Sequence, residues 1–235
     1  MRRIEPFFPR EPKAYFMKLI IGNRAYSSWS MRAWLALKAS GLDFEELVVP
    51  MFNEEWEKAR AGNEFQASGG KVPILWDGDT IIWDSLAIIE TCAERSDYRF
   101  WPEDPERRGM ARSMAAEMHA GFPAIRREMP MNVRKRVKDH ILSPDEIEEV
   151  NRLLNLWAQA RARRTGDGDY LFGDWSAVDM MFAPVITRFI TYKVPLPPFA
   201  AQYASAVLHH AHVVEWIELA QEEPWEITAY EPEKP

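Results

Sequence analysis

Cysteine is almost absent: Cys92 is the single one in 235 residues. That excludes an internal disulfide and a zinc site built from several thiolates, and makes a reducing compartment the simple reading. Positive charge is also in short supply, with 29 Lys and Arg against 36 Asp and Glu for a net charge of -7. This argues against general nucleic-acid binding, where a basic face must neutralise phosphates. No internal repeat or low-complexity tract is present. Met1-Arg2-Arg3 opens like a targeting segment, but Ile4 to Phe16 holds three prolines and four charged residues and no continuous apolar stretch. A cytoplasmic protein with no membrane partner is expected. What remains, 47% hydrophobic and 28% charged residues, is a soluble globular balance, at a length that suits one large domain or two small ones.

The most informative stretch runs from Lys71 to Ser85. Lys71-Val72 leads into Pro73-Ile74-Leu75-Trp76, then Asp77-Gly78-Asp79, Thr80-Ile81-Ile82-Trp83 and Asp84-Ser85. A proline at the head of an apolar strand belongs at a strand start or edge, and a cis bond before it suits that position. Val72 keeps its backbone groups for another extended chain. Asp77-Gly78-Asp79 has hairpin chemistry, and Asp84-Ser85 are helix-start residues whose free amides suit a carboxylate.

The surrounding pattern is α/β up to about residue 97 and helical beyond. Lys18 to Gly22 and Phe44 to Val49 are strand candidates, Met31 to Gly41 a helix with a glycine stop, Asn53 to Ala61 a loosely packed helix or loop, and Leu86 to Arg95 a helix. We divide the chain into an extension (1–16), an α/β domain (17–97), a proline-bearing linker (98–106) and an all-helical domain (107–235). Helical spacing marks Glu106 to Met129, Pro144 to Arg164, Val178 to Tyr192 and Ala200 to Gln221, with Pro123 expected to kink or split the first.

Strand, proline, hairpin and acid-serine helix start, in that order, resemble the glutathione-binding half of soluble glutathione S-transferases. Lys18 to Gly22 looks like that family's first strand, and Ser27-Ser28-Trp29-Ser30-Met31-Arg32 is similar to the serine motif of its zeta class. Gly173-Asp174-Trp175-Ser176-Ala177-Val178-Asp179 resembles the family's C-domain capping box. The resemblance implies a thioredoxin-like domain with a helical bundle, a homodimer, and glutathione as cosubstrate without a metal. It also implies a transferase of the detoxification type (EC 2.5.1.18-like) that stabilises the glutathione thiolate for conjugation to a small electrophile. The alternatives are a glutathione-dependent isomerase of the maleylacetoacetate kind, a dehalogenase, or a non-catalytic ligand-binding member.

By the same resemblance Ser27 is the first choice for the thiolate's hydrogen-bond donor and Ser28 the second, with the Tyr26 phenol as a rival. Plain helix capping also accounts for these serines. Val72 and Pro73 would present a backbone edge to the cysteinyl unit. Ser85 and Asp84 would meet the γ-glutamyl end, Lys71 the glycyl carboxylate, and Trp29 would lie beside the thiol. Phe65 to Gly70 departs from the Asn-Pro or Ser-Pro step usual in the family. Met118, His119 and Phe122 would line the electrophile pocket, with core packing as the competing reading.

Other residues read as structure. Ser176 and Asp179 form a reciprocal helix cap, Cys92 packs among apolar neighbours, and His209, His210 and His212 belong to a solvated face rather than a metal site. The basic run Arg126, Arg127, Arg134, Lys135, Arg136 and Lys138 is mostly solvated surface. One arginine pointing inward would favour an acidic second substrate.

Overall fold

The computed structural model describes residues 17–231. The extension expected at 1–16 lies outside them, as do residues 232–235. Four short strands form one mixed sheet: β1 (Met17–Ile21), β2 (Glu45–Val48), β3 (Ile74–Asp77) and β4 (Thr80–Trp83), in the order β2-β1-β3-β4. β1 runs parallel to β2 and antiparallel to β3, and β3 pairs antiparallel with β4 across the Gly78 hairpin. Alternation along the strands buries both faces. Leu19, Ile21 and Leu75 join the main core with α1 (Ser28–Ser40) and α4 (Ser85–Arg95). Ile20 and Ile74 face the other way, against Trp56 of α2 (Glu54–Arg60) and Phe65 of α3 (Asn63–Gln66). Asn53 caps α2 by accepting from Trp56 N at 2.8 Å, so the stretch read as loose is a defined turn of helix. This is the thioredoxin-like arrangement expected.

Beyond residue 104 the chain is helical: α5 (Pro105–Ala120), α6 (Pro123–Glu128), α7 (Pro144–Arg161), α8 (Ala177–Thr191), α9 (Pro198–Leu208) and α10 (Ala211–Glu222). Pro123 splits the first expected helix, since it sits at the start of α6 after Phe122 takes a left-handed conformation at φ 64°. The helix expected over Ala200 to Gln221 is also two. The break falls at His209-His210, where the His210 ring accepts from His212 N at 3.3 Å and so begins a new helix. The three histidines therefore do not share one helix face. His210 stacks on Trp175 with centroids 3.8 Å apart, half-buried rather than solvated.

α8 is the centre of the bundle, and almost every residue of it is buried. Its start is held by Asp179, which accepts from Ser176 N at 2.9 Å, Ser176 Oγ at 2.6 Å and Leu171 N at 3.2 Å. Burial raises the carboxyl of Asp179 to about 6. Replacing Asp179 with Ala strands these donors in the interior, and we expect a loss of about 2–4 kcal/mol in urea unfolding, against a smaller loss for Asp179→Asn. α1 packs on the sheet side against α4 and on the bundle side against α8, so one continuous core joins the two layers.

Candidate functional site

The cleft between sheet and bundle is a cavity of about 810 Å³. One wall is the β1–α1 junction with Tyr26, Ser27, Ser28 and Trp29. A second is the β3 entry with Lys71, Val72 and Pro73, and a third the α4 start with Asp84 and Ser85. All eight sequence-expected thiolate and glutathione positions thus face one space.

Each wall is fixed by local chemistry. Ser27 is the N-cap of α1, in extended backbone, and its Oγ accepts from Ser30 N at 3.3 Å. The Ser27 and Ser30 hydroxyls lie 2.8 Å apart, and Ser30 Oγ also accepts from Gly22 N at 3.1 Å. Hydroxyl protons rotate freely, so Ser30 can donate into Ser27 Oγ and leave the Ser27 proton for a ligand. Ser28 Oγ accepts from Arg188 Nη2 at 3.3 Å. Tyr26, the rival donor, is engaged elsewhere: its hydroxyl donates to Glu231 at 2.5 Å and accepts from Arg134 at 2.7 Å. Burial, and then the Glu231 carboxylate, push that phenol above its ordinary value, so it stays protonated with its proton committed to Glu231.

The Val72-Pro73 bond is cis. Among the described residues nothing pairs with the Val72 backbone, which leaves it open to an extended ligand. The departing Phe65–Gly70 step is a compact turn: Gly69 and Gly70 take positive φ and Ser68 Oγ accepts from Lys71 N at 3.1 Å. Asp84 caps α4, accepting from Leu86 N at 2.8 Å. Ser85 Oγ is buried with no partner among the described residues, a polar group aimed at the cavity and unsatisfied by the protein.

The bundle side differs from expectation. Met118 is fully buried and Phe122 nearly so, and neither lines the cavity. α5 ends at Ala120, and the left-handed turn at Phe122 swings that ring into the core. His119 is also absent from the lining; it pairs with Asp84 behind the wall. In their place stand Arg126 of α6, Pro130 and Met131 of the following loop, and Arg188 of α8. Arg188 is 5% exposed, donates Nε to Met129 O at 2.8 Å, and has no partner for Nη1 among the described residues. Burial, then Arg126, lowers its guanidinium to about 10, still charged at neutral pH. Arg126 lies over the Trp29 ring at 5.1 Å, with Arg32 over the same ring at 5.0 Å. Arg126 was visible in the basic run; Arg188 was not, because its helical neighbours are apolar.

The remaining wall is the C-terminal segment. Arg134 donates to Glu223 O, Trp225 O and Tyr26, Asn132 donates to Tyr230 O, and Glu223 accepts from Arg24. This clamp sets Tyr230 against Phe52 and Tyr26 at the mouth of the cavity. Lys135 of the basic run is likewise committed, to Glu231 at 2.8 Å.

A four-stranded thioredoxin-like layer whose serine-capped helix, cis-proline edge and acid-serine helix start converge on one cleft under a helical bundle defines the class. Residues 26–95 match the family model for the glutathione S-transferase N-terminal domain. Maleylacetoacetate isomerase of Pseudomonas aeruginosa is 29% identical over 164 residues, covering 67% of this chain and 74% of that protein. Glutathione S-transferase 4 of Zea mays is 39% identical over 64 residues, only 27% of this chain and 28% of that protein. A glutathione transferase homologue from Burkholderia, solved with bound glutathione, superposes with a TM-score of 0.64 at 22% identity, over 88% of this chain and 98% of that one. Residues 26–95 thus match the N-terminal domain of glutathione S-transferases, and the described chain as a whole has the fold of the solved glutathione transferases.

Proposed function

We propose that this protein is a glutathione-dependent enzyme that adds the glutathione thiolate to a small electrophile bearing a carboxylate. Glutathione lies extended along Val72, with its γ-glutamyl carboxylate on Ser85 and the α4 amides, and its glycyl carboxylate near Lys71. Its sulfur sits at the N-terminus of α1. There the Ser27 hydroxyl donates to the thiolate, and the helix end adds positive potential. Lowering a thiol pKa by two units takes about 2.7 kcal/mol, within reach of one charge-assisted hydrogen bond and a helix end together.

The observation that carries the second half of this reading is that Arg126 and the buried Arg188 face the same cavity as Ser27 and Ser28. A desolvated guanidinium with a free N–H edge is matched by a carboxylate, not by a neutral aryl group. Thiolate attack forms a C–S bond on the bound acid. Conjugation keeps that bond, whereas isomerisation breaks it after rotation about the former double bond. The P. aeruginosa relative's name favours the second outcome. A homodimer in the cytoplasm completes the proposal.

The test compares turnover of unsaturated diacids with that of neutral aryl halides, after glutathione binding is verified by tryptophan fluorescence. A preference for the diacids supports the reading. Faster aryl halide turnover overturns the acidic substrate, and binding without any turnover favours a non-catalytic member.

A further inference from the structure

His119 projects from the last turn of α5, out of the bundle and onto the start of α4. Its Nε2 lies 3.3 Å from Asp84 Oδ2, and its ring stands edge-on to Trp29 with centroids 5.0 Å apart. The other oxygen of Asp84 is fixed by Leu86 N. Asp84 itself has φ 77°, a left-handed conformation that a non-glycine residue holds only under outside constraint. One oxygen of the carboxylate is thus held from its own helix and the other lies within ion-pair distance of the opposite layer, while Asp84 lines the cavity.

We propose that His119 is a positioning residue for the α-ammonium group of the bound tripeptide: it orients Asp84 toward that ammonium, and its own protonation competes with the ligand for the same carboxylate. The inference rests on the glutathione reading above. The charged groups acting on the ring are Asp84 of α4, Arg32 of α1 and Arg126 of α6. Burial and the two arginines outweigh Asp84 and hold the imidazole below its ordinary value, so it is neutral at pH 7. In that state the neutral ring, 3.3 Å from Oδ2, leaves Asp84 its full negative charge for an incoming ammonium. As pH falls, the imidazolium takes up that charge. An ammonium arriving at Asp84 then expels the proton, so ligand binding and His119 protonation oppose each other.

S-methylglutathione, which has no thiol to titrate, is the probe. Calorimetry on the full chain in buffers of different ionisation enthalpy, at about pH 5 and about pH 7.5, reads both affinity and proton exchange. The wild type is expected to bind roughly tenfold more weakly at the lower pH and to release a proton on binding there. His119→Gln keeps a donor but cannot titrate, and should bind with a nearly flat pH profile. His119→Ala should bind roughly tenfold more weakly at the higher pH. A wild-type affinity independent of pH, or a His119→Gln profile that still follows the wild type, overturns the inference while leaving the glutathione reading intact. No binding at either pH by the wild type overturns both.

Discussion

Ser27→Ala is expected to lower turnover at neutral pH by about 10²–10³-fold while changing glutathione affinity by less than about threefold. On the proposed reading the tripeptide is anchored at its ends by Ser85, Asp84, Lys71 and the Val72 backbone, so the hydroxyl contributes little to holding it. In that reading it acts on the sulfur, favouring the ionised over the protonated thiol. The pH dependence separates this from general damage: the variant's rate should recover as pH rises toward the ordinary thiol pKa of about 8.5, because hydroxide then does what the hydroxyl did. Ser28→Ala should lose about tenfold, since Ser28 accepts from Arg188 and stands second to the cap. Glutathione thiolate absorbance near pH 7 in both variants, alongside steady-state kinetics, checks the assignment. Equal kinetics for Ser27→Ala and wild type would remove Ser27 from the mechanism, and a larger loss at Ser28 would exchange the two roles.

Arg188→Met is expected to lower kcat/KM for a carboxylate-bearing electrophile by about 100-fold, with a much smaller loss for a neutral one. The methionine fills most of the volume and removes an uncompensated buried charge, but it leaves Met129 O without its donor. Thermal unfolding must therefore be followed in parallel. Arg188→Lys is the control that keeps charge and loses the planar fork; an intermediate rate with the acid identifies bidentate recognition. Equal losses for acidic and neutral electrophiles would make Arg188 a scaffold residue that holds Ser28 and the Met129 loop.

The parts of this molecule that were legible in the sequence are those whose reason is local. Pro73 heading a strand, Gly78 in a hairpin, Asp84-Ser85 at a helix start and the Ser176–Asp179 cap each need only a few consecutive residues to declare themselves. The side of the cavity expected to hold glutathione was readable because it is assembled from three such local pieces. Its bundle side was not, because Arg126, Arg188 and Tyr230 come from three separate segments and meet only in the folded chain. Met118 follows Ala111, Met114 and Ala115 on the buried face of α5, the core-packing alternative, while Phe122 was misplaced because Gly121 and its own positive φ end the helical register that was carried past Ala120. The division of the last long helix was hidden for a similar reason: nothing in the apolar spacing of Ala200 to Gln221 marks His210 as a cap.

The pairing of Arg24 with Glu223 spans 199 positions. Wherever the polypeptide is made from its N-terminus, the serine-bearing helix emerges long before the strip that carries Tyr230 and closes the mouth of the cleft. A ribosome-bound chain can complete its sheet early, yet the cleft keeps an open mouth until the segment around Tyr230 has emerged and docked.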